Sequence, residues 1–206
     1  KPGNYEVRVT ITTDDRELHD LMIFSERRRL MIKVPCLLAN TTYEYTFTVN
    51  VCDIIPRGME SVCVDTSIDI AILASIPIVS KITIHEVECR TIFIVGDSTL
   101  TDQGAAYPYD PGCSYSGWAQ MFPAFFENGI AVSNHAHSGL TTESFVREGH
   151  YDIVKRFIRP GDFFIMQFGH NDQKLPHLDA YGGYKKRLMD YVLEMKKLGV
   201  TPLIVT

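Results

Sequence analysis

Through the first part of the chain, apolar and polar positions alternate with a period of two. Tyr5-Glu6-Val7-Arg8-Val9-Thr10-Ile11 sets the pattern, and Tyr43-Glu44-Tyr45-Thr46-Phe47-Thr48-Val49-Asn50-Val51 repeats it most clearly. Residues 29–34 form a less regular candidate, and residues 67–73 and 81–87 continue the series. Such alternation marks half-buried strands. Several short strands separated by polar turns predict a β-sandwich over residues 1–90. Beyond residue 90 the pattern changes. Apolar runs at 92–95, 130–133, 163–168 and 203–205 now alternate with helical stretches at 117–128, 151–158 and 181–198. A near-continuous apolar run is how a strand buried on both faces of a parallel sheet reads. In 181–198, Tyr184, Leu188, Tyr191, Val192, Met195 and Leu198 share one stripe, as in an amphipathic helix, and Gly199 suits its end. Alternating β and α segments predict a parallel sheet with right-handed crossovers over residues 91–206. The boundary falls near Cys89-Arg90, with little linker.

Composition adds bounds. The 206 residues are 45% hydrophobic and 22% charged, which fits a globular chain of one or two domains. No apolar run reaches the roughly 18 residues of a membrane-spanning helix. The first residues contain no apolar signal region, and the compartment stays open between cytoplasm and export. The net charge of −5 and the lack of a basic block argue against nucleic acid as a partner. Arg27-Arg28-Arg29 reads as a solvated charged face. The five cysteines include no Cys-x-x-Cys pair, and Cys52 with Cys63 is one candidate cross-strand disulfide.

The candidate chemistry lies in the second part. Three polar clusters follow three consecutive apolar runs: Gly96-Asp97-Ser98-Thr99, then Asn134-His135-Ala136-His137-Ser138-Gly139-Leu140, then Gly169-His170-Asn171-Asp172. Taken alone, the first is a capping turn, since Asp, Ser and Thr are preferred N-caps. Taken together, the three lie on one edge of a parallel sheet, where open α/β sheets place their ligands. The residue types suit acyl transfer. Ser98 offers a hydroxyl nucleophile. The Ser98 and Gly139 backbone N–H groups, with the Asn171 amide, supply donors for an oxyanion. Asp97 suits holding the turn better than acting as a base.

Gly-Asp-Ser, a later glycine in an Asn-bearing turn and Gly-x-Asn-Asp resemble the SGNH (GDSL-type) hydrolases. Gly-Asp-Ser-Thr, Gly117-Trp118 and Phe168-Gly169-His170-Asn171-Asp172 look most like the rhamnogalacturonan acetylesterase branch. The likeness covers about residues 91–206, and Leu140 stands where this branch often has arginine. The resemblance implies a flavodoxin-like three-layer α/β/α domain, preceded here by the β-sandwich. It implies ester hydrolysis without metal or other cofactor, with Ser98 as nucleophile and Gly139 and Asn171 as oxyanion donors. The residues themselves put Asp97, His170 and Asp172 in support, with His170 shaping its turn or contacting substrate rather than acting as base. The substrate it implies is an acetylated plant cell-wall polysaccharide of the rhamnogalacturonan or pectin kind. Residues 101–116, with Tyr107, Tyr109 and Tyr115, suit a carbohydrate surface.

The family takes its base from an Asp-x-x-His segment near the C-terminus. No histidine here has an acidic residue three positions before it. The expectation is therefore a C-terminally truncated hydrolase domain, ending at a fourth buried strand and lacking its base, with another strand and helix still to come. His135 and His137 with Asp172 invite zinc, but no Cys or Glu completes a known spacing. His19 and His85 stand isolated. Two rivals remain: a lipase- or thioesterase-type acyl hydrolase, and a carbohydrate-binding protein without activity. The sequence leaves the oligomeric state open.

Overall fold

A computed structural model of the chain describes residues 1–56, 59–76, 79–104 and 115–206. Among these residues, ten strands form three sheets. Strands β1 (Gly3–Thr12), β4 (Thr42–Val51) and β6 (Val79–Val87) make one antiparallel sheet, with β1 central. Strands β2 (Leu18–Ser25), β3 (Arg29–Leu37) and β5 (Ile70–Leu73) make a second, with β2 central. Alternation explains how the two sheets meet. Val7, Val9 and Ile11 of β1 and Phe47 and Val49 of β4 turn inward. There they share one apolar cluster with Leu21 and Ile23 of β2 and Met31 and Leu37 of β3.

β2 was not legible as a strand, and the structure shows why. The ladder to β3 runs Leu18↔Leu37, His19↔Cys36, then Leu21↔Val34, skipping Asp20 and Pro35. Asp20 takes a left-handed φ of 54°, and Pro35 has no N–H to give. Leu18 and Leu21, both buried, are therefore three apart rather than two or four, which hides the period.

The third sheet is parallel. Its strands are β7 (Arg90–Gly96), β8 (Ile130–Asn134), β9 (Phe163–Gln167) and β10 (Thr201–Ile204), in the order β10-β9-β7-β8. Numbered within this sheet alone, that is 4-3-1-2, the flavodoxin-like arrangement. Successive residues of β7 serve opposite faces. Phe93 and Val95 pack with α2 (Ser144–Arg147), α3 (His150–Phe157) and α4 (Gly183–Lys197). Ile92 and Ile94 pack on the other side with Ala119 of α1 (Trp118–Met121) and with Phe122. The helix expected over 117–128 is thus only a short α1 and a 3-10 turn, Phe122–Phe125. Pro123 lacks the N–H that would continue an α-helix. Strand β10 also departs from expectation. Among the described residues it pairs with β9 alone, and Leu203 and Ile204 are nearly half exposed. Among the described residues no helix is long and apolar enough to cross a membrane.

The arginine run is not a solvated face. It forms the β2–β3 turn and inserts beside the parallel sheet. Arg27 and Arg29 lie 3.0 and 3.3 Å from Oδ2 of Asp102, whose side chain is fully buried. They also donate to the carbonyl oxygens of Asn134 and Val132, and Arg28 donates to that of Gln103. Each partner lies more than 70 residues away in sequence, so local composition could not reveal the pairing. Cys52 and Cys63 both carry free thiols, and Cys52 is buried while Cys63 is exposed.

Candidate active site

Ser98 follows β7 directly and is exposed, whereas the residues before it are buried. Its neighbours fix the turn. The Asp97 carboxylate, 1% exposed, accepts the Thr99 N–H and the Thr99 hydroxyl, both at 3.0 Å. Thr101 donates its hydroxyl to the Asp97 carbonyl at 2.9 Å. Gly96 is required by close approach: a Cβ there would stand 2.3 Å from the Gln167 carbonyl oxygen of β9. Gly117 is pressed as closely on the Leu100 and Thr101 backbone, and Trp118 donates its indole N–H to Gln167 Oε1 at 2.8 Å. The Gln167 amide in turn donates to the Thr99 hydroxyl at 3.0 Å.

The strand order reverses between β7 and β9, and a crevice at the carboxyl ends of the strands is expected there. Ser98 follows the first of these strands, and Gly169 to Asp172 follow the second. The loop after β8 joins them. Asn171 donates its amide to the Leu140 carbonyl at 3.1 Å, while its Oδ1 accepts Lys174 Nζ at 2.8 Å. An ammonium can only donate and a carbonyl can only accept, so this amide has one orientation. Asp172, 1% exposed, accepts the Thr142 N–H and hydroxyl on Oδ1, at 2.8 and 2.6 Å, and the Gly169 N–H on Oδ2 at 3.1 Å. Gly139 is exposed with a left-handed φ of 90°, and an added Cβ would meet no atom within 4 Å. His170 is exposed, and its carbonyl accepts the Gln173 amide. The structure therefore ties the second and third loops together through Asn171 and Asp172. It ties the Ser98 turn to β9 through Gln167.

The histidines are engaged in different places. His135 is 3% exposed, lies 2.9 Å from the Ser133 hydroxyl and stacks on Phe93. Burial, aided by Arg27 and Arg29, holds its pKa well below the usual range. His137 has its two ring nitrogens 3.0 and 3.2 Å from the Ser138 and Pro56 carbonyls. His150 stacks on Phe145, and burial, then the nearby His137, push its pKa down to about 4. His135, His137 and Asp172 are not gathered into one ligand set. One pairing escaped the sequence: His177 Nε2 lies 2.7 Å from Glu143 Oε2, across 34 residues. Tyr115 is exposed, and Tyr107, Tyr109 and Cys113 lie outside the described residues.

No family model matches the chain. Among curated proteins, it is 36% identical over 115 residues to the rhamnogalacturonan acetylesterase RhgT of Bacillus subtilis, covering 56% of this chain and 47% of that protein. It is 30% identical over 119 residues to the probable rhamnogalacturonan acetylesterase YesY of Bacillus subtilis, covering 56% of this chain and 52% of YesY. It is 29% identical over 129 residues to the uncharacterized esterase YxiM of Bacillus subtilis, covering 62% of this chain and 33% of YxiM. The crystal structure of YxiM superposes with a TM-score of 0.50 at 23% identity, over 98% of this chain and 53% of that one. The chain spans about half the length, or less, of these relatives. It has a mixed α/β fold with a parallel sheet, shared with YxiM along nearly its whole length, and it is similar in sequence to esterases that include rhamnogalacturonan acetylesterases.

Proposed function

We propose that the protein is a serine esterase of the SGNH type that removes O-acetyl groups from a plant cell-wall polysaccharide through an acyl-enzyme. One observation carries this reading. An exposed serine at the carboxyl end of the central strand stands at the reversal of strand order, beside two loops locked together by Asn171 and Asp172. In the proposed reaction Ser98 Oγ attacks the acetyl carbonyl carbon as a base removes the hydroxyl proton. The oxyanion is held by the Ser98 and Gly139 N–H groups and by the Asn171 amide. Leu140 engages one of that amide's two hydrogens, leaving the other for the substrate. Collapse breaks the C–O bond to the sugar, whose oxygen takes the proton. Water then releases acetate from Ser98 by the reverse proton path. Similarity to rhamnogalacturonan acetylesterases supports an acetylated pectic substrate.

The proposal treats residues 1–90 as a β-sandwich accessory domain and 91–206 as the hydrolase domain. His135, His137 and His150 are all packed against other groups of this chain, as described above, whereas His170 and His177 are exposed. The test is acetate release from acetylated pectins and xylans. Ser98→Ala should abolish turnover without unfolding the protein, and a serine-directed phosphonate should label Ser98. Full activity in the alanine variant would remove the assignment.

A further inference from the structure

A second set of chemical groups lies far along the sequence from the candidate active site, at the end of the β2–β3 ladder. His19 and Cys36 are direct partners across that ladder. Their neighbours Leu18 and Leu37 are also partners, and both face the core. Alternation therefore sends His19 and Cys36 to the solvent face, and Glu17, two residues before His19, joins them. One ligand atom from each of Glu17, His19 and Cys36 lies within 4.8 Å of the others. Glu17 Oε2 stands 3.6 Å from His19 Nε2 and 3.7 Å from Cys36 Sγ. Tetrahedral zinc, with bonds of about 2.0 Å to oxygen and nitrogen and about 2.3 Å to sulfur, sets such ligands roughly 3.3–3.6 Å apart. Two of the three edges are therefore already close to the spacing a metal would impose.

The surroundings favour a cation. Arg16, the nearest basic residue in sequence, is turned to Asp14 and Asp15. Among the described residues, the one ion-pair partner of Glu17 is His19. The backbone of His19 is pinned on its other side as well, since its N–H donates to Ser75 Oγ and its carbonyl accepts the Ser75 N–H, both at 3.2 Å.

We propose that Glu17, His19 and Cys36 form a three-ligand site for a zinc-class divalent transition metal, with its fourth position open to solvent. The softness of the donor set, one thiolate and one imidazole, selects such metals over calcium or magnesium. The bound ion would clamp β2 to β3 beyond the break at Asp20 and Pro35. Sequence spacing could not show the site, because Cys36 stands 17 positions after His19 and only the strand register unites them.

The 206-residue protein, stripped of metal and kept reduced, is titrated with Zn(II) against a chromogenic chelator. A parallel titration with Co(II) is followed by absorption. The expected result is one equivalent of zinc bound and a thiolate-to-cobalt charge-transfer band. Cys36→Ser should abolish the band. Cys36→Ser and His19→Gln should each weaken zinc binding by more than about 100-fold, since even second-shell partners are worth about 10–100-fold. Cys63→Ser should change nothing. All three side chains replaced are exposed, and far-UV circular dichroism confirms that the variants fold. Absence of stoichiometric binding, or a charge-transfer band that survives in Cys36→Ser, would overturn the proposal. It does not depend on the esterase reading.

Discussion

Replacing Asp172 with asparagine should show how much the loop lock is worth. The carboxylate sits among three donors, two on Oδ1 and one on Oδ2, and is almost wholly buried. An asparagine of the same shape has one acceptor oxygen and one donor nitrogen. Keeping the oxygen on Thr142 turns the new NH2 against the Gly169 N–H, donor to donor. Flipping the amide instead sets it against two donors. The lesser loss is one hydrogen bond to a charged group, about 1.5–3 kcal/mol, plus a buried unsatisfied donor at about 1–3 kcal/mol. The two bonds that survive also lose their charge assistance. A loss of about 3–5 kcal/mol follows, out of the 5–15 kcal/mol typical of a folded domain. With a urea m-value of about 2–3 kcal/mol/M, the unfolding midpoint should fall by roughly 1–2 M. Thr142→Val, which removes only the hydroxyl donor, should cost about 1.5–3 kcal/mol. If Asp172→Asn shifts the midpoint by no more than Thr142→Val does, the carboxylate is not the hub of this network. Because the same residue sets the Gly169–Asp172 turn, the proposed esterase turnover should fall even at urea concentrations well below the unfolding midpoint.

Three further outcomes follow from the same structure. Asn171→Ala should lower kcat by about 10²–10³ with little change in KM, as expected for a donor that acts on the developing oxyanion; an unchanged kcat would remove Asn171 from that role. His150 is held neutral in the fold, with a pKa pushed down to about 4 from the 6.5 of a free imidazole. The unfolded chain therefore binds the extra proton first, so stability present above pH 6.5 is lost as pH falls toward 4. His150→Phe should flatten that window in denaturation measured against pH. Asp102→Ala leaves the Arg27 and Arg29 guanidinium groups without their anion and should cost about 3–5 kcal/mol by urea denaturation; a loss under about 1 kcal/mol would mean that water already serves those charges.

What could be read from the sequence divides along physical lines. Strands with an unbroken period, such as β1 and β4, were legible, because alternation directly records which side meets the core. The three apolar runs at β7, β8 and β9 were legible for the complementary reason, being covered on both faces. β2 was lost because a left-handed Asp20 shifts its phase, and the expected helix at 117–128 was cut short by Pro123. The polar clusters after the strands could be found, since Gly, Asp, Ser and Asn mark turns by their backbone preferences. The bonds that hold those clusters could not. Asp172 reaches Thr142 across 30 residues and Glu143 reaches His177 across 34, and no local pattern encodes such pairings. The arginine turn was misread for the same reason: a run of charges looks alike whether its counterions are water or a buried aspartate.

That turn has a consequence for how the molecule can be taken apart. Glu26 and Arg28 hold left-handed backbone, at φ of 53° and 60°, a conformation that costs a residue other than glycine about 1–2 kcal/mol. The turn keeps this shape while its arginines reach Asp102 and the backbone of β8. Asn128 adds a second seam, donating to Glu6 and accepting from Thr48, and Asn4 adds a third at Thr91. A cut at residue 90 would strip Asp102 of both guanidinium partners, and the carbonyls of Val132 and Asn134 of their arginine donors. Denaturation should accordingly proceed as one transition rather than two. Grafting residues 91–206 onto a different partner would then require carrying the Arg27–Arg29 hairpin with them, so the unit of engineering is the pair, not either half.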